Sequence, residues 1–361
     1  MAEVGNLNPN NNQVNERQIL LICKAICSKV FSSSLLLHPA YFTHTLVQLG
    51  YEPFPLEKGK SFIFFGSNTF FLPNYYRYVN NMYLLHGFKA IYTGVGGCFL
   101  EKFSRISCGF VIYEILDRYY PEVGGNIDDL KNLNNLDNYQ QFRIKLRKGI
   151  RETIEVVLCL VISRPFTVVA IRQIAQLIGN ETKYLPINPF QPLLLIGAEE
   201  GPPGLFSGLM PLIVNGLISV WGTNICIYLV DIVYNKMIIK LNMKVEGWEN
   251  LRPYEKQQLS EYLQLSVLLR YNVCNLIVPS LVGFVQYPFK LCSNLMAVAG
   301  SGLLASLLPY SPTFNNWFDT YNYLAQNCEL YRGVMPYLRK EKGSIQVGPD
   351  NKFYGSKKYF I

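Results

Sequence analysis

This chain is poor in charge, in histidine and in uninterrupted apolar runs. Asp, Glu, Lys and Arg make up only 16% of its 361 residues, where soluble domains carry roughly a quarter. Three isolated histidines and nine scattered cysteines offer no Cys-x-x-Cys pair and no zinc spacing. That excludes a legible metal site and reads the thiols as small, reduced apolar residues. There is no GxSxG elbow, no Walker loop and no HExxH, and GVGG at 94–97 lacks the strand that a nucleotide loop needs. The expectation is therefore a protein without enzymatic activity, cofactor or metal. The first eighteen residues are polar and Asn-rich, with no apolar core before a cleavage site, which argues against a secretory leader. Glu3 and Glu16 argue against an Arg-rich transit peptide. The formal charge of +8 is spread along the chain without a basic cluster or a recognisable module, so nucleic acid is not an expected partner.

What is present points to a membrane. Half of the residues are hydrophobic and 14% are aromatic, and scattered Lys and Arg suit loops flanking spans. After a polar tail (1–16), residues 17–50 read as a long helix with Pro39 inside it; proline is tolerated in membrane helices and kinks them. Residues 51–86 run through GYEPFP and SFIFFGSNTFFLPNYYRYV, an aromatic segment suited to the membrane interface. Further helices are expected at 95–118, 142–179 (with Pro165), 209–239 and 258–300 (with Pro279 and Pro288). Asn- and Asp-rich residues 120–141 and polar residues 240–257 read as linkers. Residues 209–239 make the most convincing span, with Asp231 near the end.

A repeat underlies this order. Pro39, Pro165 and Pro288 lie 126 and 123 residues apart, each in a kinked helix. Each helix is followed by a glycine-flanked aromatic motif: GFKAIYTG at 87–94, GPPGLFSG at 201–208 and ELYRG at 329–333. The third motif is not followed by an apolar helix. The expected fold is thus an all-α membrane domain over 17–340, built as a threefold repeat of kinked transmembrane helices (17–119, 142–240, 258–340) whose sixth helix is missing. A C-terminal tail, 341–361, follows.

Helix–loop–helix units of this kind resemble mitochondrial carriers, whose kinks carry P-x-[D/E]-x-x-[K/R]. The prolines fit three times and the charge pairs never do. The positions hold Tyr41 and His44, Thr167 and Ala170, Lys290 and Ser293, so no ion-pair gate can form and break there. GYEPFP (50–55), RPFTVVAIRQIAQLIGNETKY (164–184), YPFKLCSNLMAV (287–298) and PYSPTFNNWFD (309–319) are similar to the mitochondrial carrier homolog family, a divergent branch of the outer mitochondrial membrane. The resemblance implies a multi-pass insertase for α-helical membrane proteins, tail-anchored ones included. It also implies lipid scrambling, or docking of a pro-apoptotic BH3 protein, as alternative activities. An inner-membrane solute carrier would want the gate charges and the sixth span.

An insertase needs a polar groove open sideways to lipid. Helix 258–300 supplies one wall: Asn272, Asn275, Pro279, Gly283, Gln286, Lys290 and Asn294 form one helical stripe. A packed bundle with interhelical hydrogen bonds is the bland alternative. Helix 142–179 adds Arg147, Arg151, Glu155, Arg172 and Gln176, where Arg151 and Glu155 are spaced to pair with each other. Helix 209–239 adds Asn224 and Asp231 on one face and Asn215 on another. The resemblance places the family's basic groove position on His44 and its acidic one on Gly216, beside Asn215. His38 and His86 read as structural. The expected substrate path is therefore Asn272, Asn275, Gln286, Lys290, Asn294, His44, Asn215, Asn224, Asp231 and Arg172, with α-helical clients and lipids as partners.

Overall fold

A computed structural model describes residues 27–28, 30–60, 66–125, 138–245, 253–307, 311–312, 314–341 and 343–355. The 1–16 tail, most of the 120–141 linker and the end of the C-terminal tail lie outside the described residues. The chain is mostly helical. Residues 30–36 are helical and bend at Leu37 into α1 (His38–Leu49). Pro39 thus sits in the first turn of α1 rather than inside a continuous helix, a position where its missing N–H costs nothing. The aromatic segment folds into a hairpin, β1 (Glu57–Lys60) and β2 (Asn68–Leu72), and a helix, α2 (Tyr75–His86). These short strands stand beside a mostly helical chain that is consistent with the all-α membrane expectation. The side chain of Asn74 caps α2 by accepting from Arg77 N at 2.9 Å.

The long helices follow. They are α3 (Val95–Arg118), α4 (Asn138–Ala175), α6 (Leu209–Val245) and α8 (Val278–Val298), with a shorter α5 (Phe190–Glu199) between α4 and α6. Helix α7 (Pro253–Asn272) joins α8 through a π turn, Val273–Ile277. Three segments, Phe142–Gly179, Gly201–Ile238 and Ser260–Val298, are long and apolar enough to cross a membrane. In the second and third, only 17% of the apolar window is buried inside the protein, against 44% in the first. Most of the α6 and α7–α8 apolar surface is therefore left uncovered by the chain itself, as expected of membrane-facing helices. Isoleucine, leucine and valine at 225, 229 and 233 form such a face on α6, more than half exposed. Helix α4 packs on α3 and α6, α6 packs on α8, and α8 reaches α1 and α4.

The core lies at one end of the bundle, where α1, α4 and α8 converge. Phe42, Leu46, Val169, Ile174, Leu291 and Val298 are buried there. Three positive-φ glycines allow the helices to close. Gly94 (φ +84°) lies against Ala170 O and Ile174 of α4. Gly208 (φ +68°) lies against Ser293 O of α8. Gly333 (φ +85°) lies against Val47 of α1 and Tyr287 of α8. A Cβ at these positions would meet atoms at 2.9, 2.6 and 3.1 Å respectively, in a backbone region that L-residues enter at a cost.

Beyond α8, the chain forms α9 (Trp317–Gln326), whose Asn316–Asp319 capping box satisfies its first turn. The polypeptide then returns to the start of the fold. Arg332 donates from Nε to Gln48 O at 3.1 Å and pairs with Glu329 at 2.8 Å, clasping the C-terminus of α1. Tyr331 stacks on Phe284 at 4.3 Å. β3 (Arg339–Lys340) adds a third strand beside β2. Arg339 forms a buried ion pair with Glu52 of the GYEPFP turn and donates to Pro73 O at 3.0 Å. Leu56 N donates to Phe353 O at 2.7 Å. The described tail residues thus cover the hairpin.

Candidate functional site

Three sets of polar side chains lie within the helices, and they differ in what they do. The first set is locked. Arg164, fully buried, donates through Nε to Ser207 O at 2.8 Å and through Nη2 to Ser293 O at 3.0 Å. It ties α4 to the GPPGLFSG motif and to α8. Arg172, also fully buried, makes a bidentate pair with Glu200, one arm at 2.8 Å, and donates to Ala297 O at 2.8 Å. Fork geometry of this kind fixes position as well as charge. Ser293 donates to Gly208 O at 2.9 Å, and a Cβ on Gly97 would overlap Ala170. Of the positions that would carry an ion-pair gate, Ala170 and Ser293 are thus packed or hydrogen-bonded.

The second set joins helices pairwise. Asp231 takes Arg270 at 2.6 Å and Lys145 at 3.1 Å, linking α6, α7 and α4. Asn224 donates to Glu152 at 2.6 Å. Asn294 donates to Gln48 Oε1 at 2.6 Å, and Gln48 donates to Tyr287 at 3.1 Å. Arg172, Asn224, Asp231 and Asn294 are therefore interhelical clasps and leave the open surface. The expected Arg151–Glu155 pair is corrected: Arg151 reaches across to Asp117 of α3. His38 is structural, with Nε2 at 2.9 Å from Thr93 O.

The third set is open. On the π turn and α8, Asn275, Pro279 and Lys290 are exposed, Asn272 is half-buried, and a Cβ on Gly283 would meet nothing within 4 Å. Gln286 keeps a buried Oε1 without a partner. Lys290 is within electrostatic range of Glu101 and Arg105 on α3, and of His44. His44 Nδ1 lies 3.0 Å from the Tyr75 hydroxyl, which donates to Gly333 O at 2.7 Å. The Tyr75 proton is committed to that carbonyl, so the tautomer that fits carries its hydrogen on His44 Nδ1. Burial, then the neighbouring Tyr287 phenol, holds the Tyr75 hydroxyl well above the usual phenol range.

Next to Arg105 a cavity of about 570 Å³ opens between α3, α4 and α6, within the range of small-molecule sites. Arg105, Glu155, Asn215 and Ser219 are its polar lining, and Ile106 and Phe110 are part of its apolar lining. The Asn215 Oδ1 is buried and unpartnered. Of the expected path, then, Asn215 lines the cavity with Arg105, while Lys290 lies within electrostatic range of Arg105 and of His44. Asn272 ends α7, Asn275 stands on the π turn and Gln286 lies on α8, apart from the cavity lining. Arg105 and Arg164 were missed in the sequence. Their signal was present, because a cation inside an apolar helix requires water or a partner.

No family model matches the chain. The curated relatives are more informative. Mouse mitochondrial carrier homolog 2 is 26% identical over 308 residues, covering 85% of this chain and 90% of that protein. The human protein of that name matches equally. Mouse mitochondrial carrier homolog 1 is 25% identical, over 84% of this chain and 73% of its own length. Over most of its length the chain is similar to mitochondrial carrier homologs. It has apolar helices sufficient for a membrane protein, and the names of its relatives point to the mitochondrion.

Proposed function

We propose that this protein is an insertase of the outer mitochondrial membrane, passing α-helical proteins, tail-anchored ones included, into lipid without a cofactor or covalent chemistry. The observation that carries the reading is the open polar stripe of α8. Lys290 and the bare face of Gly283 on α8, and Asn275 on the π turn before it, lie on a span whose apolar surface the chain itself leaves mostly uncovered. Polar flanks of a client would remain solvated along the stripe while its apolar helix moves sideways.

The reading includes a cyclic, threefold bundle. Gly94 of the first unit meets α4 of the second, Gly208 of the second meets α8 of the third, and Gly333 of the third meets α1 of the first. That order supports a threefold repeat. Past α8 the described residues form a 3-10 turn (Leu304–Ser306), the ten-residue α9 and short strands, which supports a bundle left open where a sixth helix would stand. The clamps made by Arg164 and Arg172 tie α4 to the end of α8, and the kinks lack the opposite charges of an ion-pair gate, which together favour a fixed cavity over alternating access.

The test is insertion of a labelled tail-anchored client into liposomes holding only this protein, with lipid scrambling read on the same vesicles. Lys290→Glu is expected to slow clients with acidic tails and to speed clients with basic tails, each by about tenfold, equivalent to about 1.4 kcal/mol across a poorly screened groove. Scrambling without insertion above empty liposomes would make lipid movement the primary activity. Insertion indifferent to Lys290 and to tail charge would remove the groove from the pathway.

A further inference from the structure

Glu155 is the carboxylate that the bundle leaves over. Every ionic neighbour on its helix has another partner: Lys145 takes Asp231, Lys148 takes Glu152, and Arg151 takes Asp117. Glu152 also accepts from Asn224. Among the described residues Glu155 has no hydrogen bond or ion pair. Its Oε1 lies where a Cβ on Gly109 would be only 2.9 Å away, so the glycine leaves room for the carboxylate. Across the cavity the buried Asn215 Oδ1 also lacks a donor, and the Ser219 hydroxyl shares the lining. These are acceptors awaiting N–H groups. Arg105, whose one ion pair among the described residues is with Glu101 at 3.6 Å, stands in the same lining, and Ile106 and Phe110 are exposed beside it.

We propose that this cavity binds a phosphoethanolamine lipid headgroup. Its primary ammonium would lie against Glu155, Asn215 and Ser219, its phosphate against Arg105, and its glycerol end along Ile106 and Phe110. A primary ammonium has three N–H donors to match these acceptors. A choline group has none, and a serine headgroup adds a carboxylate that Glu155 repels. The inference rests on the groove reading, because a lipid must enter from the open interior, but its readout is binding rather than insertion.

The test uses the full chain in liposomes of equal phosphatidylethanolamine and phosphatidylcholine, with bound lipids counted by native mass spectrometry. Wild type is expected to carry ethanolamine lipid about tenfold enriched, the effect of one charge-assisted hydrogen bond. Glu155→Gln, nearly isosteric, is expected to fall close to parity, and Asn215→Asp, which adds a second carboxylate, to raise the enrichment. Parity in wild type, or enrichment indifferent to both variants, would overturn the assignment. Full displacement by an equal concentration of soluble glycerophosphoethanolamine would overturn the lipid as the source of the headgroup. Insertion is measured on the same vesicles. Insertion with parity defeats the headgroup selectivity alone, whereas enrichment without insertion supports it and defeats the insertase reading.

Discussion

Arg172→Ala is expected to lower the stability of the bundle by about 3–5 kcal/mol, because it strips the partner from a partly buried carboxylate. Arg172 is fully buried, and Glu200 is 22% exposed and held by both arms of the guanidinium. The alanine variant also releases Ala297 O at the end of α8. Thermal unfolding in detergent measures the loss. The double variant Arg172→Leu with Glu200→Leu is expected to recover most of it, since replacing both charges by apolar groups removes the unpaired ion. If the single variant unfolded with the wild type, Arg172 would not be a clamp.

Gly208→Ala is expected to cost about 2–5 kcal/mol, the sum of a left-handed backbone penalty and overpacking. The new methyl would fall 2.6 Å from Ser293 O and 2.7 Å from Arg164 Nη2. It would therefore strike the contact that joins the second glycine motif to α8. Gly300→Ala is the matched control. It also has positive φ (+76°), but nothing lies within 4 Å of an added Cβ, so it should carry only the backbone part. Equal losses in the two variants would show that close approach at Gly208 contributes nothing.

Much of this fold was legible in the sequence because helices announce themselves locally. Residues 95–118 read as one helix and form one. The span expected at 209–239 extends to Val245, since its polar C-terminal residues continue the helix beyond the apolar run. Pro165 and Pro288 sit inside helices as expected. The hairpin at 57–72 was hidden because β1 is short and polar and the phenylalanines of β2 also suit a membrane interface, and its third strand comes from residues 339–340. Side-chain roles were harder to read, because a charge declares its need for a partner but not which partner. Arg151 has Glu155 one turn away, yet tertiary packing brings Asp117 to it. Asp231 looked like a groove acid and meets Arg270 and Lys145 instead. Arg172 finds Glu200, 28 residues on. Surplus groups among the described residues, Lys290, Asn275, Gln286, Glu155 and the Asn215 carbonyl among them, remain for other work.

The measurement that tests the central claim most directly is site-specific photo-crosslinking during insertion. A photoreactive residue is placed at Asn275, on the open stripe, and separately at Leu229, on the lipid-covered face of α6, where the side chain is 54% exposed. A tail-anchored client caught during insertion should crosslink from position 275 through its apolar helix, and not from 229. Equal crosslinking from both positions, or none from 275 while insertion proceeds, would contradict a groove along α8.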